Sequence, residues 1–140
     1  MQVSEAMNRT AQFVGPNEPL GDIARRMKND GIGALPVGED DRLIGMVTDR
    51  DIVVRGFDGA DDLRSKSVRD VMSDGINWTF EDSSLEEAAA VMANRQVQRL
   101  PVINHDKRMV GVISLSDLVR CGPDGEPALK IAASGIKQPS

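Results

Sequence analysis

The sequence reads GMVTDRD at residues 45–51, and a related stretch, GVISLSD, follows at residues 111–117. In both stretches a glycine precedes two apolar residues, a hydroxyl residue, two variable positions and an aspartate. A Leu-Pro-Val triplet stands upstream of each stretch, at residues 35–37 and 100–102. A duplicated pattern of this kind indicates that one supersecondary unit is written twice in the chain.

The remainder of the chain follows the same repeat. Met7 and Met72 stand 65 residues apart. Gly45 and Gly111 stand 66 residues apart, which places one extra residue in the second copy, within residues 104–108. Halves of roughly 60 residues bury too little surface alone, so we expect them to share a core. The chain is therefore divided into a first repeat at 1–57, a linker at 58–66, a second repeat at 67–121 and a tail at 122–140.

The composition restricts the class of protein. Hydrophobic residues make up 40% and charged residues 28% of the chain, as in soluble globular proteins, and no apolar run approaches the ~18 residues of a membrane span. The net charge of -5 and the aromatic share of 3% argue against nucleic-acid binding, which needs a basic face or a stacking platform. A single cysteine, Cys121, and a start without a signal peptide predict a reducing, cytoplasmic location.

Apolar spacing predicts one long helix in each repeat. Pro19 suits the first helical position of the first helix, and Gly31 suits its end. Ser83, with Glu86 three residues later, predicts a capping box at the start of the second helix. The apolar residues at i, i+3, i+4 and i+7 are Leu20, Ile23, Ala24 and Met27 in the first helix and Leu85, Ala88, Ala89 and Met92 in the second.

Short apolar runs with polar turns between them predict two hairpins, formed by residues 34–37 with 43–47 and by residues 100–103 with 110–113. A shorter helix is predicted after each hairpin, at residues 49–55 and 115–120. A further strand is predicted before each long helix, at residues 10–14 and 76–80. Each repeat is thus predicted as a β-α-β-β-α unit, which makes the chain an α/β (α+β) protein.

Three features outside the motifs carry expectations of their own. The tail contains Gly, Pro and Ser with one possible helical turn at 128–133, and we expect it to be partly mobile with few buried contacts. Trp78 is expected in the core or in a dimer interface rather than beside a ligand. His105 stands in a polar turn without a cysteine or a second histidine, which predicts no metal site.

Taken together, the motifs resemble the paired cystathionine-β-synthase (CBS) domains of the Bateman module over roughly residues 3–120. The residues that carry the resemblance are Met72, LEEA at 85–88, LPV at 100–102 and GVISLSD at 111–117, with their counterparts in the first repeat. The resemblance implies two repeats packed through their sheets about a pseudo-twofold axis, with two clefts between them. It also implies binding of adenine nucleotides or adenosyl compounds and pairing into disc-shaped dimers.

The pair Thr48 and Asp51, like Ser114 and Asp117, has two interpretations. A hydroxyl followed three residues later by an acid is the pattern of a helix capping box. In the resembling family the same two residues face a cleft, and the carboxylate accepts hydrogen bonds from the ribose diol. Capping explains neither the glycine nor the Leu-Pro-Val triplet upstream, which favours the ligand, and one pair of residues can serve both roles.

The resemblance implies that each cleft takes residues from both repeats. The first cleft is predicted to contain Thr10, Gln12, Ile32, Gly33, Ser114, Ser116 and Asp117. The second is predicted to contain Thr48, Arg50, Asp51, Gly75, Asn77, Val97, Gln98 and Arg99. Arg50 and Arg99 favour phosphate in the second cleft, because guanidinium groups bind phosphate through two hydrogen bonds, although both can equally be solvated surface residues. Ser116 and Ala34 replace them in the first cleft.

These observations predict a non-catalytic ligand sensor. No nucleophile with a paired base and no Gly-rich phosphate loop followed by Lys occurs in the sequence. The expected ligand is AMP, ADP or ATP, with NAD or S-adenosylmethionine as further adenosine-containing candidates. The expected partners are a second copy of the chain and a separate effector protein, with neither nucleic acid nor a membrane. The alternative is a structural dimerisation module that has no functional ligand.

Overall fold

A computed structural model describes residues 1–10, 13–57, 63–74 and 76–134, apart from the side chain of residue 64. The helices are α1 (Val3–Ala6), α2 (Leu20–Asp30), α3 (Asp49–Arg55), α4 (Val68–Val71), α5 (Leu85–Arg95), α6 (Leu115–Arg120) and α7 (Glu126–Ser134), with 3-10 turns at Leu63–Ser65 and Gly122–Gly125. The strands are β1 (Ala34–Glu39), β2 (Arg42–Thr48), β3 (Thr79–Phe80), β4 (Arg99–Ile103) and β5 (Met109–Ser114). The chain is a mixed α+β protein, as the sequence predicts.

The chain forms two compact units: Gln12–Ile76 is one, and Met1–Ala11 with Asn77–Ser140 is the other. The first residues of the chain therefore belong to the unit that contains the second sequence repeat. Likewise α4, from the start of that second repeat, belongs to the unit of the first. The sequence repeats at 1–57 and 67–121 stay a prediction, since the compact units cut across them.

In the unit Gln12–Ile76, β1 and β2 form an antiparallel hairpin. Its two-residue turn consists of Asp40 and Asp41, whose φ angles of 55° and 64° match the twist of the flanking strands. Helix α2 buries its apolar face against the hairpin and ends at Gly31, which has a φ of 65°. The core of the unit consists of Val14, Leu20, Ile23, Met27, Leu35, Val37, Val47, Ile52, Val68 and Val71.

The other unit contains a three-stranded sheet in the order β3, β4, β5, with β3 parallel to β4 and β4 antiparallel to β5. Helix α1 contributes Val3 to its core, and Met92 on α5 is 1% exposed. The core of this unit consists of Val3, Met7, Leu85, Ala88, Ala89, Met92, Leu100, Val102, Ile113, Leu118, Ala128 and Ala132. The predicted hairpins, the four-residue helix faces and the two short helices are all confirmed.

Four local predictions are wrong. Of the strand predicted at 10–14, residues 11 and 12 lie outside the described residues, and the described ones are not in a strand. Thr10 lies in a turn, where its N–H and hydroxyl donate to Asn8 Oδ1, and Val14 makes one isolated bridge to Val37. The second predicted strand shortens to β3. Pro19 is the residue before α2 and not its first helical residue, since its ψ of 137° is extended. The capping box of α5 stands one residue later than predicted, at Ser84 and Glu87.

The tail was expected to make few buried contacts, and for residues 126–134 this is wrong. These residues form α7, which packs on α5 and α6. Ala128 is 0% exposed and Ala132 is 3% exposed. Two alanines four residues apart give α7 a small-residue face, which lets it pack closely on α5.

Among the described residues, no helix is long and apolar enough to cross a membrane.

The repeated glycine has a structural role in each unit. A Cβ atom on Gly45 would lie 2.7 Å from the carbonyl oxygen of Ser73 and 3.2 Å from the sulfur of Met72. The chain passes this close because Met46 and Ser73 exchange two backbone hydrogen bonds, of 2.9 and 2.8 Å. In the other unit, a Cβ on Gly111 would lie 2.8 Å from the carbonyl oxygen of Asn8 and 3.0 Å from the sulfur of Met7. The matched glycines and methionines are thus explained by packing, and the glycine is no longer an argument for a ligand.

We expect Gly45→Ala to lower the free energy of unfolding by about 1 to 3 kcal/mol, because backbone must shift to admit the methyl group. Gly21→Ala is the matched control, since a Cβ there has nothing within 4 Å. It lies in α2, where alanine is favoured over glycine by up to ~1 kcal/mol, so the control should be neutral or stabilised. Urea unfolding of both variants measures the difference. If Gly45→Ala is as stable as Gly21→Ala, the close approach at Gly45 does not restrict the residue at that position.

Candidate functional site

Thr48 and Asp51 form a complete capping box at the start of α3. The backbone N–H of Asp51 donates to Thr48 Oγ1 at 3.0 Å, and the backbone N–H of Thr48 donates to Asp51 Oδ2 at 3.0 Å. Both residues are partly buried. In the part of the chain that the structure describes, Asp51 Oδ1 accepts no hydrogen bond. One carboxylate oxygen is therefore held by the backbone, and the other has no donor among the described residues.

Ser114 and Asp117 repeat this capping box at the start of α6. The backbone N–H of Ser114 donates to Asp117 Oδ2 at 2.8 Å, and the Ser114 hydroxyl lies 3.1 Å from the same oxygen. The Asp117 side chain is only 3% exposed, and its Oδ1 is paired with the guanidinium of Arg120. The capping interpretation is thus confirmed for both pairs. It leaves the ligand interpretation as a second role of the same side chains, because a carboxylate has about four lone-pair sites.

The remaining predicted site residues divide between the two units. Arg50, Ile32 and Gly33 lie in the same unit as Thr48 and Asp51, where the carbonyl of Gly33 accepts from the backbone N–H of Asp49 at 3.0 Å. The other unit holds Thr10, Asn77, Val97, Gln98, Arg99, Ser114, Ser116 and Asp117. Gln12 and Gly75 lie outside the described residues. The second unit has the same contact, because the carbonyl of Gln98 accepts from the backbone N–H of Leu115 at 3.0 Å. In both units, therefore, the loop before the first hairpin strand contacts the start of the short helix.

The two arginines predicted to bind phosphate are both exposed. Arg50 is in the first turn of α3, between the acidic residues Asp49 and Asp51. Arg99 is the cross-strand partner of Ser114, in the position that Ala34 has opposite Thr48. Each unit therefore brings one of these arginines close in sequence or register to its own hydroxyl and aspartate. The assembly of residues from both units into shared clefts stays a prediction.

A small aromatic cluster lies beside the three-stranded sheet. Trp78 is 39% exposed and meets Phe80 edge to face, with ring centroids 4.8 Å apart. It is therefore not in the core, and its other expected place, a dimer interface, stays a prediction. Phe80 stacks on the His105 ring at 4.4 Å. The Nε2 atom of His105 lies 2.8 Å from Asp82 Oδ2, and this hydrogen bond lowers the pKa of the exposed Asp82 carboxyl. The imidazole is thus held by a ring and a carboxylate.

Sequence reasoning missed Arg120, which contacts the matched aspartate of the second unit. The signal for it was present, because Arg120 stands three residues after Asp117 within a predicted helix, and residues at that spacing are neighbours on a helix surface. It was overlooked because Arg120 lies just outside the repeated heptapeptide.

Comparison with known proteins identifies a similar sequence and two similar crystal structures. Hypoxic response protein 1 of Mycobacterium tuberculosis is 38% identical over 121 residues, which cover 86% of this chain and 84% of that protein. A crystal structure of Hypoxic Response Protein I with two coordinated zinc ions superimposes with a TM-score of 0.77 at 36% identity, covering 88% of this chain and 100% of that one. The crystal structure of CBSX2 in complex with AMP has a TM-score of 0.73 at 26% identity, covering 86% and 94%.

Among the described residues of this chain, no three His, Cys, Asp or Glu side chains are grouped to hold a metal ion. The family profile of the CBS domain matches this chain twice, at residues 3–56 and 68–124. These two matches contain both capping boxes, both hairpins and both close-packed glycines. The chain therefore belongs to the CBS domain family and carries a pair of CBS domains.

Proposed function

We propose that this protein is a non-catalytic regulatory module that binds an adenosine-containing ligand and signals its occupancy to a partner. The observation that carries the proposal is the carboxylate of Asp51, which has one oxygen fixed by the backbone N–H of Thr48 and a second oxygen with no donor among the described residues. A ribose diol offers two hydroxyl donors, which an ionised carboxylate can accept. The complex of a related CBS protein with AMP supports the same ligand class.

The ligand we propose is AMP, ADP or ATP, with NAD or S-adenosylmethionine as further candidates. Arg50 and Arg99 are exposed and carry permanent charge, so they are suited to bind phosphate oxygens. On a chain of net charge -5, local groups of this kind are needed to attract an anionic ligand. Residues contributed by both repeats would complete each cleft.

We further propose that the chain functions as a homodimer. Four apolar side chains on or beside the short helices are each at least 60% exposed: Val53, Val54, Phe57 and Val119. Val53 and Val119 occupy matched positions of the two repeats. Apolar side chains exposed at matched positions are suited to an interface with a second copy. Ligand binding would then act by favouring one of two dimer arrangements, which an effector protein reads.

The same exposed side chains favour the alternative, a structural dimerisation module without a functional ligand. The two functions differ in whether any ligand stabilises the protein. They agree on the dimer, so light scattering tests that part alone and a monomer at micromolar concentration would contradict both.

Thermal unfolding with and without ligand separates the two functions. Adenosine, AMP, ADP, ATP, NAD and S-adenosylmethionine form the panel, with GMP and inorganic phosphate as controls. A ligand present at 100 times its dissociation constant is expected to add about 2.7 kcal/mol to the free energy of unfolding, because it binds only the folded state. A rise with adenine compounds and none with the controls supports the proposal, whereas no rise with any of them leaves the structural module.

A further inference from the structure

The two matched aspartates are engaged differently by their own helices. At Asp117 both carboxylate oxygens are bound: Oδ2 by the backbone N–H and hydroxyl of Ser114, and Oδ1 by the guanidinium of Arg120. At Asp51 the backbone N–H of Thr48 binds Oδ2, and Oδ1 has no donor in the described ranges. The Ser114 hydroxyl adds a second donor to Oδ2 of Asp117, but the difference at Oδ1 comes from Arg120.

The difference follows from one position of the repeat. Arg120 stands three residues after Asp117 on α6, and the residue three after Asp51 on α3 is Val54. Valine has no donor, and the Val54 side chain is 62% exposed. The Arg120 side chain is also mostly exposed, and its guanidinium contacts the buried carboxylate of Asp117. The position three residues after the matched aspartate is therefore a cation in the second repeat and an apolar residue in the first.

A guanidinium is a strong competitor for a carboxylate. Its hydrogen bonds to the carboxylate are charge-assisted on both sides, whereas those from a ribose hydroxyl are charge-assisted only by the acceptor. A diol needs two of the about four lone-pair sites of a carboxylate, and three are taken at Asp117, so both hydroxyls can bind only after the guanidinium has left Oδ1. At Asp51 no such displacement is required, because Oδ1 carries no donor among the described contacts.

We infer that Arg120 is a specificity-determining residue that keeps Asp117 closed to a ribose diol and directs the adenosine ligand to Asp51. This inference rests on the proposed function and adds the order of occupancy to it. At a limiting concentration of ligand, the site at Asp51 fills first, and the carboxylate of Asp117 stays paired with Arg120.

The test uses adenosine as the probe, since it has the diol and no phosphate for an arginine to attract. Isothermal titration compares Asp51→Ala with Asp51→Ala/Arg120→Val, so that only the Asp117 site is measured. We expect Arg120→Val to tighten adenosine binding by about two- to fivefold, the range set by losing one partly exposed ion pair. The mirror experiment compares Asp117→Ala with Asp117→Ala/Val54→Arg, and here adenosine should bind about two- to fivefold more weakly.

The Val54→Arg arm keeps the test decisive if Arg120→Val unfolds, because an exposed valine on α3 can be replaced without disturbing the core. Val54 also belongs to the surface proposed for the dimer, so the comparison counts only when light scattering gives the variant the same oligomeric state as its parent. Unchanged or weaker adenosine binding with Arg120→Val, in a variant that melts like its parent, overturns the inference and makes Arg120 a ligand contact or a bystander. Unchanged binding with Val54→Arg overturns it as well. The unsubstituted protein is titrated first with AMP and adenosine, and if it binds neither, the proposed function itself fails.

Discussion

Removal of residues 123–140 is expected to destabilise the protein by about 3 to 5 kcal/mol, the cost of exposing the apolar side chains that α7 buries. Ala128 and Ala132 are almost fully buried, and Leu129 and Ile131 pack against the same core. Their loss also uncovers the faces of α5 and α6 that α7 contacts. At this size a loss of several kcal/mol lowers the melting temperature by roughly 10 °C or more.

The matched control is removal of residues 135–140 alone, which retains every contact of α7 described above. It should melt within a degree or two of the full chain. A second variant, Ala128→Asp, keeps the length and places a carboxylate at a position that is 0% exposed, so it should be destabilised to a similar extent. If the chain without residues 123–140 melts like the full chain, then α7 is an appended helix and not part of the core.

The helices and hairpins could be predicted because the patterns that specify them are local. Leu20, Ile23 and Met27 repeat with the helical period, and all three are buried on α2 as that period requires. The turn at Asp40 and Asp41 is similarly local, since acidic residues tolerate the positive φ angles that a tight hairpin needs. Duplication strengthened these predictions, because each element had to appear twice at the same spacing.

Contacts between residues that are far apart in the sequence could not be predicted from it. The face of α7 consists of small residues, and Ala128 and Ala132 do not look like a core until α5 is placed against them. The role of Gly45 was likewise hidden, because the backbone that approaches it belongs to residues 72 and 73. The exchange of α1 and α4 between the repeats has the same origin, since a bridge such as Asn8 to Val112 leaves no periodic signal.

For the candidate site, the sequence predicted the types of residue but not their arrangement. The spacing of Thr48 and Asp51 fits a capping box and a ribose site equally, and the structure shows the capping box. The asymmetry between Asp51 and Asp117 could not be read from the heptapeptides, which both end in aspartate. It depends on whether an arginine one turn later reaches the carboxylate, which is a matter of side-chain geometry.

Replacement of Asp51 by alanine is expected to weaken AMP binding by roughly 10- to 100-fold. Hydrogen bonds to a charged group contribute about 1.5 to 3 kcal/mol, and each 1.4 kcal/mol is a factor of ten in affinity. The same change removes the acceptor for the Thr48 N–H, so a loss of about 1 kcal/mol in stability is expected beside it. Asp51→Ala alone therefore cannot separate ligand binding from capping.

Two further variants make the separation. Asp51→Asn keeps an oxygen for the Thr48 N–H but removes the negative charge, so it should retain most of the stability and still lose AMP affinity. Asp70→Ala is the control for capping, because Asp70 accepts from the backbone N–H of Ser67 at 2.8 Å in the same unit and is not among the predicted ligand residues. It should melt earlier and bind AMP like the unsubstituted protein. Calorimetry and thermal unfolding of the three variants together decide the role of Asp51: if Asp51→Asn binds AMP normally, the carboxylate is a cap alone, and an adenosine ligand must be recognised elsewhere in the chain.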